Sequence, residues 1–207
     1  MRVLVFGANG TVGKHLVSQG LEKGHFVTAF MRHPEKLAFQ HPSLQKVKGD
    51  VLDPQSIRKV MDGQNAVLIS LGDGRKGTVR AYGTAQIVKS MEDAGVNRLI
   101  CQTTLGCGES WQNLNFFWKK VMFGWFLKAA FEDHQLQEKH VMESGLDWTI
   151  VRPGAFTDGP LTKSYRENFS PEATDLKLKI SRADLAYFIL HEINEAKYLK
   201  QAVGLSY

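Results

Sequence analysis

Arg2-Val-Leu-Val-Phe-Gly-Ala-Asn-Gly-Thr-Val-Gly13 is the stretch whose reading decides the fold. Arg2 to Phe6 is a short run of β-branched and aromatic residues, the pattern of a strand buried on both faces. Gly7, Gly10 and Gly13 follow, and beyond them Leu16, Val17 and Leu21 fall at helical spacing. Strand, glycine turn and helix together make a phosphate cradle. Glycines let the backbone turn sharply and approach a ligand closely, while free N–H groups at a helix start face anionic oxygens. The spacing is Gly-x-x-Gly-x-x-Gly rather than the Gly-x-Gly-x-x-Gly of the usual dinucleotide fingerprint. Gly7, Asn9, Gly10, Thr11, Val12 and Gly13 are therefore candidate cofactor contacts.

Outward from this turn, strands and helices alternate. His25 to Met31 reads as a second strand ending at Arg32, where an acidic residue would hold the 2′-hydroxyl of NAD. Arg32, with Lys36 four residues on, instead suits a 2′-phosphate, so NADP is favoured over NAD. Leu44 to Gly49 is a third strand, and Asp50 at its end suits the adenine amino group. Asp53-Pro54 reads as the N-cap and first residue of a helix through about Val60. Ala66 to Leu71 is a continuous apolar strand closed by Gly72. A helix from about Thr78 to Ala94 ends at Gly95, and Arg98 to Thr104 is the fifth strand. Five strands and four helices within the first 104 residues predict a doubly wound (Rossmann) α/β fold, one parallel sheet with helices on both faces. Ligands bind such sheets at the carboxyl ends of the strands. That rule places the glycine turn, Arg32, Asp50, Val51, Leu71, Gly72 and Thr104 along one rim.

Past Thr104 the alternation stops. Residues 105–131 hold Trp111, Phe116, Phe117, Trp118, Phe123, Trp125, Phe126 and Phe131, with Lys119, Lys120 and Lys128 between them. At α-helical spacing the apolar residues spread almost all round. The segment reads as a lid over a flat conjugated substrate or an interface with a second copy or a partner, and after these as a basic helix on a membrane surface; core packing is a further alternative. Glu132 to Ser144 is helical, Leu146 to Val151 is a sixth strand, and Ser181 caps a last helix through about Glu195. A short strand before Tyr207 closes the chain. A small substrate-side part begins near residue 155.

Composition agrees with one globular domain. The 207 residues are 43% hydrophobic and 23% charged. No signal-peptide pattern and no spanning apolar window are expected. Cys101 and Cys107 form neither a disulfide framework nor a metal site, which points to a reducing cytoplasm. The net charge of +5 reads as a mildly basic solvated surface, since no nucleic-acid motif accompanies it.

Several motifs resemble the atypical short-chain dehydrogenase/reductases of the NmrA-like branch, and within it the biliverdin-IXβ reductase (flavin reductase) group. They are Phe6-Gly-Ala-Asn-Gly-Thr-Val-Gly13, Gly49-Asp-Val-Leu52, Glu143-Ser-Gly-Leu146, Thr149-Ile-Val-Arg-Pro-Gly154, Asp158-Gly-Pro-Leu-Thr162 and Ser181-Arg-Ala-Asp-Leu185. The resemblance implies that Arg32 binds the NADP 2′-phosphate, Asp50 and Val51 the adenine, and Pro153 with Gly154 the nicotinamide carboxamide. Gly72 would line the ribose and pyrophosphate path. The family's tyrosine and lysine fall on Ala130 and His134, and its serine on Thr104, so no Tyr-x-x-x-Lys pair is available to carry a proton. Ala155 replaces the histidine found in the biliverdin-IXβ group. The resemblance thus implies an NADPH-dependent reductase of flavins (FMN or FAD), quinones or linear tetrapyrroles, with solvent as proton source. Thr104 and His134 are candidate catalytic residues, and Trp111, Phe156 and Tyr165 candidate substrate contacts. A non-catalytic NADP-binding sensor or assembly factor is the other expectation.

Overall fold

The computed structural model describes all 207 residues. Its core is an eight-stranded sheet in the order β3-β2-β1-β4-β5-β6-β10-β8. The strands are β1 (Arg2–Phe6), β2 (Phe26–Met31), β3 (Leu44–Lys48), β4 (Ala66–Ile69), β5 (Arg98–Gln102), β6 (Asp147–Pro153), β8 (Arg166–Glu167) and β10 (Gln201–Ser206). All neighbours run parallel except β8, which pairs antiparallel with β10. The small strands β7 (Ala155–Thr157) and β9 (Lys179–Ser181) form a separate parallel pair beside it.

Alternation along each strand divides the core. Val3 and Val5 point to the face covered by helices α1 (Gly13–Glu22) and α5 (Arg182–Glu195), where they join Leu16, Val17, Leu185 and Ile189. Leu4 and Phe6 point to the other face, against α2 (Pro54–Met61), α3 (Val79–Ala94) and α4 (Lys128–Met142), where Ile57, Ile87, Met91 and Val141 meet them. A third, smaller cluster of Leu105, Cys107, Leu114, Phe123, Phe131 and Leu178 lies under the aromatic segment.

Local signals fix the helix ends. Asp53 accepts from the Gln55 amide at 3.0 Å, with Pro54 in the first turn. Ser181 accepts from the Asp184 amide at 3.0 Å. Gly95 closes α3 at φ 68°, the left-handed conformation that favours glycine. Thr78 gives α3 no side-chain cap. Asp133 of α4 takes that role from outside, its carboxylate accepting from the Arg80 and Ala81 amides at 3.1 and 3.0 Å.

The structure departs from the sequence pattern in three places. Only one 3₁₀ turn, Pro34–Lys36, joins β2 to β3, so three α-helices, not four, lie among the first five strands. β7, β8 and β9 have two or three residues each and escape a periodicity reading. The aromatic segment is helical as expected of about residues 105–131, but its helix is not an α-helix. Phe117–Phe126 winds as a π-helix, with the Leu127 amide bonded to the Met122 carbonyl at 2.6 Å.

Candidate functional site: a dinucleotide cleft with an aromatic-walled cavity

The order 3-2-1-4 places a topological switch point between β1 and β4, the crevice where doubly wound sheets take ligands. Two turns meet there: Gly7–Gly13 after β1, and Ser70–Gly72 after β4. Gly7 sits at φ +82°, and a Cβ on it would lie 2.2 Å from the Ser70 carbonyl oxygen. A Cβ on Gly13 would lie 2.1 Å from the Gly7 oxygen, so only glycine lets α1 start so close to β1. The first turn of α1 holds no acidic residue and no side-chain cap. The Thr11 and Val12 amides donate to no backbone acceptor. Uncapped N–H groups at the start of a helix suit a pyrophosphate in both charge and direction.

The crevice continues both ways from this point. On the β2–β3 side a cavity of about 140 Å³ is lined by Gly7, Asn9, Gly10, Arg32, Asp50, Val51, Leu71 and Gly72. Arg32 is exposed at its edge. One Asp50 oxygen accepts from the Leu52 amide at 3.0 Å, which fixes the carboxylate at the rim. On the β5–β6 side a cavity of about 350 Å³ shares Gly10, Leu71 and Gly72 and adds Thr11, Val12, Thr104, His134, Pro153, Gly154 and Phe156. Residues from six strand ends and loops, far apart in sequence, thus form one continuous trough.

The sequence reading missed much of the larger cavity's wall. Leu114, Trp118, Phe123 and Leu127 form an apolar side contributed by the aromatic segment, and Leu105 and Leu178 close its floor. Leu114 and Leu127 flank the π-helix; inside it the wider turn brings Trp118 and Phe123, five residues apart, to one side. Ser70 and Gln102 also line it, joined by a 2.7 Å hydrogen bond that ties the ends of β4 and β5 together. Arg80, buried, reaches the wall from α3.

Four expected contacts lie elsewhere. Lys36 is in the 3₁₀ turn and lines neither cavity. Trp111 packs on Phe131, ring centres 5.5 Å apart, as part of the aromatic cluster behind the wall. Tyr165 packs edge-on against Phe188 and lines a separate depression near α5. Gly13 acts by packing and lines neither cavity.

His134 also needs revision as a proton donor. Burial, then the nearby Arg80 guanidinium, hold its pKa down at about 4. Gln137 donates to Thr84 at 3.0 Å and turns its oxygen to His134 Nδ1, also at 3.0 Å. That network assigns the proton to Nδ1 and leaves Nε2 as an acceptor. Near neutral pH the ring is uncharged. Thr104 keeps its hydroxyl at the cavity, where it donates to the Leu105 carbonyl at 3.3 Å. Helix α4 contains no tyrosine.

The model of the NAD(P)H-binding family matches residues 7–196, from the glycine turn to the end of α5. The chain belongs to the NAD(P)H-binding family. The chain is similar to an uncharacterised chloroplastic protein of Arabidopsis thaliana, 31% identical over 195 residues, 87% of this chain and 68% of that one. An anaerobilin reductase from Escherichia coli superimposes with a TM-score of 0.82 at 29% identity, covering 99% of this chain and 96% of the other. The photosystem II assembly factor Ycf39 of Synechocystis is 25% identical over 77% of this chain and 46% of its own length. An NAD(P)H dinucleotide carries a pyrophosphate, and the uncapped α1 amides are groups in the cleft suited to one.

Proposed function

We propose that the protein is an NADPH-dependent reductase that transfers hydride to a flat conjugated acceptor, a flavin, quinone or linear tetrapyrrole. The observation that carries this reading is the 350 Å³ cavity, which opens from the cofactor turn and is walled by Leu114, Trp118, Phe123 and Leu127. NADPH supplies a hydride, two electrons with one proton; the acceptor takes them with a second proton from solvent. The residues present suit that division of labour. Arg32 would meet the 2′-phosphate, the Thr11 and Val12 amides the pyrophosphate, and Pro153 with Gly154 the nicotinamide end. Apolar walls orient the acceptor and keep bulk water from its face, so positioning does most of the work. No tyrosine–lysine pair stands by, and His134 is neutral, which disfavours alcohol oxidation. The Asp158-Gly-Pro-Leu-Thr162 element and the likeness to an anaerobilin reductase support a biliverdin-IXβ-like acceptor range. The buried free thiols Cys101 and Cys107 suit a reducing cytoplasm.

The test is NADPH oxidation, followed near 340 nm, with FMN, biliverdin and a soluble quinone offered in turn. Turnover of at least one above the buffer rate is expected; no turnover with any of them contradicts the reading. A second reading, a non-catalytic NADP-binding sensor or assembly factor, draws on the exposed aromatic surface of residues 116–126 and on the likeness to Ycf39. It requires tight NADPH binding without oxidation by any acceptor.

A further inference from the structure

The π-helix has a second face that the cavity does not use. At about 4.4 residues per turn, Trp118 and Phe123 fall on one side, the cavity wall, with Leu127 beside them at the helix end. Phe116, Lys120 and Trp125 fall in a row on another, turned to solvent, with Phe116 74% and Trp125 75% exposed. Phe117 and Phe126 flank that row and are also exposed. From Asn113 to Phe131 there are three lysines and no acidic residue. The loop before α3 adds Arg75, whose guanidinium lies 5.5 Å from the Phe126 ring centre, with Lys76 beside it.

We propose that this face docks on an anionic lipid surface. Phe116, Phe117, Trp125 and Phe126 would enter the boundary between headgroups and acyl chains, and Lys119, Lys120, Lys128 and Arg75 would meet lipid phosphates. Charge selects this occupant. A two-fold contact between copies would set these lysines against each other, since such an interface pairs a patch with itself. A helix of ten residues lies on a bilayer rather than across it, and no helix of the chain is long and apolar enough to cross one. Because the same helix carries the cavity wall, docking brings the cavity to the bilayer. On the reductase reading above, the acceptor class then narrows to bilayer-soluble conjugated molecules such as quinones.

The test uses the full chain with sedimenting vesicles of phosphatidylcholine alone or with 30% phosphatidylglycerol. Binding to the anionic vesicles only, weakened by salt, is expected. Phe116→Ser with Trp125→Ser should lower the partition coefficient at least tenfold, and Lys119→Gln with Lys120→Gln about thirtyfold. Both variants should keep the wild-type NADPH affinity, which shows that they are folded. The proposal is overturned by folded protein that ignores anionic vesicles or by variants that bind them as well as wild type. A dimer abolished by Trp125→Ser without vesicle binding would assign the face to a second copy instead. Vesicle binding without NADPH binding would leave the docking standing and remove the cofactor reading.

Discussion

Asp133 and Arg80 form a buried pair, Oδ2 to Nη1 at 3.3 Å, in which the same carboxylate also caps helix α3 through the Arg80 and Ala81 amides. The Arg80 guanidinium continues to the Lys76 and Gly74 carbonyls at 3.1 Å each, so one carboxylate organises the loop before α3 and one wall of the cavity. Asp133→Ala removes the cap and strands a buried cation. A loss of about 3–5 kcal/mol is expected from chemical denaturation, with Asp133→Asn recovering part of it.

A second buried pair holds the far side of the trough. Arg152 grips Glu138 with two hydrogen bonds of 2.9 and 2.7 Å, and Thr103 donates to the same carboxylate at 2.7 Å. Arg152 stands next to Pro153, and Thr103 next to Thr104. Glu138→Ala should cost about 3–5 kcal/mol, whereas Glu138→Leu combined with Arg152→Met should cost much less, because no buried charge is then left without a partner; Glu109, which also accepts from Arg152 at 2.6 Å, is exposed to water. Equal losses in the two proteins would contradict that account.

His134 gives a pH signature. Its folded pKa of about 4 lies below the ordinary 6.5, so between these values the unfolded chain binds more protons. Stability should therefore fall as pH drops through that window. His134→Gln should lose about 2–3 kcal/mol less than wild type between pH 7 and pH 4.5. Parallel stability curves for the two proteins would remove the buried neutral imidazole.

Glycines at the turn divide by what surrounds them. A Cβ at position 13 would collide with the Gly7 oxygen, whereas one at position 72 meets nothing within 4 Å. Gly13→Ala should fail to fold stably. Gly72→Ala should keep the wild-type melting temperature and bind NADPH about tenfold or more weakly, since the added methyl occupies the cleft rather than the core. A Gly72→Ala protein with unchanged affinity would show that the dinucleotide runs elsewhere.

How much of this was legible in the sequence follows from how local each signal is. β1, β4, β5 and β6 are apolar runs buried on both faces, and the caps at Asp53 and Ser181 act within two or three residues. The rim, including Arg32, Asp50 and Gly72, followed from strand ends once the sheet order was assumed. The cavity wall did not, because Trp118 and Phe123 come to one side only at π spacing, and Leu105, Leu114 and Leu178 reach it from other segments. The cap that Asp133 supplies to α3 joins residues 52 and 53 positions apart, beyond any local pattern. Tyr165 and Trp111 carry aromatic rings that suit a substrate equally well in sequence, but tertiary packing commits them to other clusters.

In the proposed reductase, amides at the first glycine turn would hold a pyrophosphate while Arg32 selects a phosphorylated ribose. Titration of NADPH and NADH against wild type and Arg32→Asp tests both parts at once. Wild type should bind NADPH at least about tenfold more tightly than NADH, and the variant should lose that preference while keeping most of its NADH affinity. Equal weakening for both dinucleotides would contradict it.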